Sequence, residues 1–196
     1  MYDKFSYIYD ELMKRQVDYD LLASNVIQIC DKYKIAVKNI LECGMGSGNL
    51  TEKFLKRKID VDGFDISDNM LSIAYNKLLD YNNVNIMKGD IRTFSANKKY
   101  NLICCFFDVL NYLKSLNEIE LFLQNARKQM DKNSILMFDI NSEYKLKEYL
   151  GNKWIFDDKS DERKIPFSEY FLAATSVATL LNEAFVIKKF EKKDPL

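Results

Sequence analysis

The chain has 196 residues, 47% of them hydrophobic, enough for one well-cored domain and short for two. Its 29 basic and 29 acidic residues cancel, so the basic excess of a nucleic-acid binder is missing and a polynucleotide substrate is disfavoured. There is no histidine, which excludes Ser-His-Asp and Cys-His hydrolases and removes the commonest transition-metal ligand; no metal site is expected.

The N-terminal segment, Met1-Tyr2-Asp3-Lys4-Phe5, carries early charge and no apolar core, unlike a secretory signal. Residues 1–19 are nevertheless rich in aromatics (Tyr2, Phe5, Tyr7, Tyr9, Tyr19), which gain stability only by burying area. With Phe5 and Met13 four residues to either side, Tyr9 fits an amphipathic helix face, or a segment lying over a site. Asp18 to Tyr33 reads as a helix from the recurrence of Leu21, Leu22, Val26, Ile29 and Cys30. Asn39 to Cys43 is a short strand stopped by Gly44, and Asn49-x-x-Glu52 resembles a capping box opening the next helix. A strand over Asp60–Asp65 and a helix over Ser67–Asp80 follow, with Met70, Leu71, Ala74 and Leu78 inward.

Asn83 to Met87 is a further strand, and Tyr100 to Phe107 is apolar enough to be buried on both faces. Helix Asn117–Met130 and strand Ser134–Ile140 continue the alternation. A helix from Tyr144 to Leu150, a charged loop through Lys164, a helix ending near Asn182 and a strand Ala184–Phe190 complete the chain. Such alternation means an α/β fold with an open, mostly parallel sheet, whose ligands bind at the carboxyl ends of the strands. The longest weakly polar run, Phe171 to Leu181, is too short to span a bilayer, so no membrane partner is expected. Cys30, Cys43, Cys104 and Cys105 lack zinc-ligand or CxxC spacing and fit buried thiols in a reducing cytoplasm.

Three strand tips carry chemistry. The first runs into Gly44-x-Gly46-x-Gly48, which is GxGxG rather than the dinucleotide GxGxxG. The second ends at Asp65, 17 residues after Gly48, where a carboxylate can accept from both hydroxyls of a ribose or simply face a helix N-terminus. The third ends in Gly89-Asp90-Ile91, which suits an adenine amine and ring face, or a plain Gly-Asp turn. Asp108 ends an apolar strand, and a charge there needs a partner or a task.

Taken together, Leu41 to Thr51, Gly63 to Leu71, Gly89 to Ile91 and Tyr100 to Ile103 resemble the class I S-adenosylmethionine-dependent methyltransferases. The resemblance implies a Rossmann-like sheet with helices on both faces and S-adenosylmethionine as cofactor, with S-adenosylhomocysteine as product. It places Gly44, Gly46 and Gly48 under the methionine moiety and Asp65 on the ribose, with Ile66 beside it. Met70 lies against adenine, Asp90 near its amine with Ile91 on a ring face, and Glu42 reaches the cofactor's amino group through water.

A narrower likeness, over residues 1 to about 158, is to a bacterial branch acting on small molecules. Tyr2-x-x-Phe5-x-x-x-Tyr9-Asp10-x-Leu12-Met13, Tyr19, Phe107 to Leu113 and Phe138 to Ser142 carry it. It implies that Tyr9, Tyr19 and Phe107 lie near the cofactor, and that Asp108, Asn111 and Tyr112 lie near the methyl group's destination. Asp108, Asn111 and Tyr9 are thereby the candidate catalytic residues, with Asp108 the base for a hydroxyl acceptor.

The expected organisation is one domain over 1–196, with a lid segment over 1–17, a cofactor-binding core over 18–142 and an abbreviated acceptor side over 143–196. After Ile187 no segment is left for the usual seventh strand, so a homodimer or protein partner covering the sheet edge is also expected. The expected reaction is methyl transfer to N or O of a small-molecule acceptor in the cytoplasm. One alternative is a cofactor-binding, non-catalytic homologue acting through a protein partner; another is an NAD-dependent oxidoreductase, which shares the Asp65 logic but not the glycine spacing.

Overall fold

The computed structural model describes residues 2–140 and 185–187. Two helices come first, α1 (Tyr2–Gln16) and α2 (Tyr19–Lys32). The alternation then runs β1 (Asn39–Cys43), α3 (Asn49–Lys56), β2 (Asp60–Asp65), α4 (Asp68–Lys77), β3 (Val84–Lys88) and β4 (Leu102–Cys105). A 3₁₀ turn (Val109–Tyr112), α5 (Leu116–Lys128), β5 (Ile135–Phe138) and β6 (Phe185–Ile187) follow. The sheet order is β3-β2-β1-β4-β5-β6.

Strands β1 to β5 pair in parallel, as strand-helix-strand crossovers require, and β6 runs antiparallel to β5, with Phe185 opposite Phe138. The strand order reverses between β1 and β4, which opens a crevice at their carboxyl ends. Six strands are present among the described residues. The expected helix over 144–150, the charged loop through Lys164 and the helix ending near Asn182 lie outside them.

Alternation along each strand feeds two cores. Ile40, Val61, Leu102, Cys104, Ile135 and Met137 face the layer of α2, α3 and α4. Leu41, Cys43, Ile103, Cys105, Leu136 and Phe138 face α5, which is anchored by Phe122 and Ala126. Burying a side chain such as Phe122 stabilises by about 1.5–3 kcal/mol. All four cysteines are free and buried, and burial raises each thiol above its usual range.

Helices α2, α4 and α5 start where side chains cap them: Asp18, Ser67 and Ser115 accept from Leu21, Met70 and Glu118 amides. The capping box expected at Asn49 and Glu52 does not form. The cap of α3 is Gly48, left-handed at φ 78° and without a side-chain bond, and the Asn49 amide is drawn away by a stronger partner, the Asp10 carboxylate. The N-terminal aromatic segment is a helix; α1 packs on α4 and buries Met13. β4 stops at Cys105, two residues short of the expected Phe107, because Phe107 and Asp108 both take left-handed backbone, at φ 65° and 66°.

Candidate functional site

β1 delivers the chain into the glycine turn at the sheet's reversal point. Backbone N–H groups of Gly44 and Met45 donate to the Phe64 carbonyl at 2.8 and 3.0 Å, tying the turn to the end of β2. Gly46, at φ 54°, has open space where a Cβ would stand, so a ligand can approach its backbone. Its N–H donates to Asp65 Oδ2 at 2.8 Å, while Ser67 N–H donates to Oδ1 at 2.8 Å. Burial raises the Asp65 carboxyl even against these bonds. Each oxygen keeps further acceptor capacity for a ligand hydroxyl.

Glu42, at the end of β1, is only 5% exposed. Burial pushes its carboxyl up to about 8, the nearby Asp65 charge adds to this, and a 2.7 Å hydrogen bond from Thr51 Oγ1 opposes it. It is therefore largely protonated at neutral pH, and an arriving cation would favour its ionised form.

These groups line a cavity of about 650 Å³ at the carboxyl edge of the sheet. Helix α1 contributes Ser6, Tyr9 and Met13; their spacing puts them along one helical stripe. Tyr19, at the start of α2, meets the Phe107 ring at 5.5 Å between centroids. The far wall holds Phe107, Val109 and Tyr112 from the left-handed turn and the 3₁₀ segment. Burial raises the hydroxyls of Tyr9 and Tyr19, and Tyr112 is pushed up to about 12, so all three present O–H groups at neutral pH. The turn is held by Asp139, just past the end of β5, which accepts from Phe107 N–H at 3.0 Å and Asp108 N–H at 3.3 Å. Among the described residues, no cluster of His, Cys, Asp and Glu could hold a metal ion.

Comparison with known proteins bears directly on this arrangement. Residues 40–133 match the family model described as a methyltransferase domain. A protein of Geobacillus sp. named as a methyltransferase is 28% identical over 88% of this chain and 70% of its own length. Malonyl-[acyl-carrier protein] O-methyltransferase 1 of Ilyobacter polytropus is 30% identical over 91% of this chain and 59% of its own. The crystal structure of an S-adenosylmethionine-dependent methyltransferase from Clostridium acetobutylicum superposes with a TM-score of 0.71 at 31% identity, covering 81% of this chain and 65% of that one. These matches support placing the chain with the class I S-adenosylmethionine-dependent methyltransferases.

Within this methyltransferase fold, most residues singled out in the sequence converge. Glu42, Gly44, Gly46, Asp65, Ile66, Met70, Asp90, Ile91, Phe107, Tyr9 and Tyr19 all line the cavity. Gly48 does not; it turns the chain into α3, where a Cβ would meet Leu78 at 2.9 Å. Asp90 lines the cavity, but its carboxylate already receives Arg92 through Nε at 2.9 and 3.1 Å, and Arg92 reaches on to Glu118 at 2.8 Å.

Asp108 and Asn111 are not part of the cavity wall. Asp108 is 3% exposed, and Asn111 Nδ2 donates to its Oδ1 at 2.7 Å. The left-handed backbone at Asp108 starts the 3₁₀ turn, which brings Val109 and Tyr112 to the wall in its stead. Sequence reasoning attached no role to Asp10, Arg92 or Asp139. Asp10 and Asp139 both lie inside motifs that carry the family likeness, each next to an aromatic residue, and that adjacency is their signal in the sequence.

Proposed function

We propose that this chain binds S-adenosylmethionine in the 650 Å³ cavity and transfers its methyl group to a nitrogen or oxygen of a small-molecule acceptor. The observation that carries the reading is the meeting of the open Gly46 backbone, the Asp65 carboxylate and the buried Glu42 carboxyl in one cavity. These residues fit the cofactor's groups: Gly44 and Gly46 a close-lying methionine moiety, Asp65 a ribose, Glu42 an ammonium, and Met70 with Ile91 the faces of a base. Asp90 would take the adenine amine with acceptor capacity that Arg92 leaves free.

When bound, S-adenosylmethionine supplies a methyl already activated on a sulfonium, so alignment of the acceptor does most of the remaining work. Orientation of this kind is worth up to about 7–11 kcal/mol. Tyr9 faces the transfer and excludes water with Tyr19 and Phe107. Asp108 and Asn111 hold the turn that presents Phe107, Val109 and Tyr112, and an amine acceptor entering with a free lone pair needs no base from them. Residues 1–17 serve as the lid, 18–142 as the cofactor core and 143–196 as the acceptor side. The four buried free thiols support a reducing, cytoplasmic setting.

Calorimetry with S-adenosylhomocysteine and NAD, followed by mass spectrometry of amines and alcohols incubated with S-adenosylmethionine, tests the proposal. Binding of S-adenosylhomocysteine and a methylated product are expected. Binding without any methylated product would favour a non-catalytic role through a protein partner, and binding of NAD alone would overturn the reading.

A further inference from the structure

A buried carboxylate outside the glycine turn with several bonding partners belongs to the N-terminal helix. Asp10 is 3% exposed, and donors from four segments converge on it. Lys14 of its own helix reaches Oδ2 at 2.7 Å, and Asn49 at the start of α3 reaches Oδ1 at 2.8 Å. Lys77 of α4 reaches Oδ1 at 3.0 Å, and Ser47 of the glycine turn donates to the same oxygen. Lys77 closes the network by also donating to Asn49 Oδ1 and, at 3.4 Å, to Ser47 Oγ.

A buried ion pair is a weak stabiliser compared with apolar packing of equal volume, because desolvation offsets most of its attraction. Helix α1 already has an apolar anchor in Met13, which is fully buried. What the network adds is geometric: it fixes the rotation of α1 about its own axis. Tyr9 is one residue, about 100° of helical turn, from Asp10, and it looks into the cavity that Ser47 and Asn49 also line. A helix free to roll by a fraction of that angle would carry the Tyr9 ring off the wall.

We propose that Asp10 is a positioning residue: it seats α1 on the glycine turn and the starts of α3 and α4, and so sets Tyr9 against the cofactor. The inference rests on the cavity being the S-adenosylmethionine site.

The test uses the full chain carrying Asp10→Asn, which keeps the shape and removes the charge that holds Lys14 and Lys77. S-adenosylhomocysteine affinity is expected to fall about tenfold or more by calorimetry. Hydrogen exchange should show the ligand still protecting the glycine turn while protection of residues 6–13 is lost. Because Asp10 acts through Tyr9, adding Tyr9→Ala should weaken binding no further than Tyr9→Ala alone. Wild-type affinity in Asp10→Asn, or effects of the two substitutions that simply add, would overturn the inference. If Asp10→Asn does not fold, Lys77→Met carries the same test, since Asp10 keeps Lys14, Ser47 and Asn49; unchanged affinity and α1 protection there would also overturn it. Failure of the wild-type chain to bind S-adenosylhomocysteine would instead sink the cofactor reading beneath it.

Discussion

Glu42 is a buried carboxyl raised by desolvation, and its titration links stability to pH. Its folded pKa of about 8 lies above the reference of 4.5, so the stability it contributes is complete below 4.5 and lost as pH rises through 8. Glu42→Gln removes that loss and keeps an acceptor for Thr51. Its melting temperature should gain on the wild type steadily from about pH 5 to about pH 9, and an offset independent of pH would contradict the assignment. Asp65→Ala should weaken S-adenosylhomocysteine binding by about 2–4 kcal/mol, since charge-assisted bonds are lost together with the anchor of the Gly46 amide; calorimetry reads it directly. At this scale Gly44, Gly46 and Asp65 were legible as positions that line the cavity, because their spacing along the chain is itself the signal. Asp10, Arg92 and Asp139 were not, because each also has a partner far off in sequence that ties it to the site: 37 residues separate Asp10 from Ser47, 26 Arg92 from Glu118, and 32 Asp139 from Phe107. Local pattern contains no record of such pairs.

Among the described elements, α1 is the place to test whether function can be separated from fold. It supplies Ser6, Tyr9 and Met13 to the cavity, yet it stands outside the strand-helix alternation that builds the sheet. Tyr9→Ala should therefore cut methyl transfer far more than it lowers the melting temperature; an equal decline in both would mean ordinary core packing. The network on Asp10 also gives α1 an acid limit. Burial raises that carboxyl, but bonds from Lys14, Ser47 and Lys77 outweigh it and hold it at about 2. The tie is thus present above the reference of 3.8 and lost as pH falls through 2. Hydrogen exchange in α1 should accelerate over that interval. The helix was readable from the aromatic spacing around Tyr9, whereas its seat was not. The capping box at Asn49 failed for the same reason: a tertiary partner won over a local one.

For the whole molecule, the open, mostly parallel sheet followed from the alternation of strands and helices. The antiparallel direction of β6 did not, since a short apolar run reads the same in both directions. β6 covers the outer edge of β5, whose residues Ile135 to Phe138 are all buried. A chain ending at residue 183 should expose that edge and self-associate, which light scattering would report. A monomer of unchanged melting temperature would show that β6 is dispensable.

The four shielded thiols give the molecule an internal clock. Cys43, Cys104 and Cys105 lie on the central strands β1 and β4, whereas Cys30 lies on α2 in the covering layer. A thiol held protonated and away from solvent reacts with an alkylating reagent only while its surroundings are open. The central three should therefore be modified together, at the rate of global opening, and Cys30 should keep a separate time course set by the detachment of α2. Saturating S-adenosylhomocysteine should slow the central three in proportion to its binding, so that intact-mass spectra of a timed alkylation measure ligand affinity without any acceptor substrate being known.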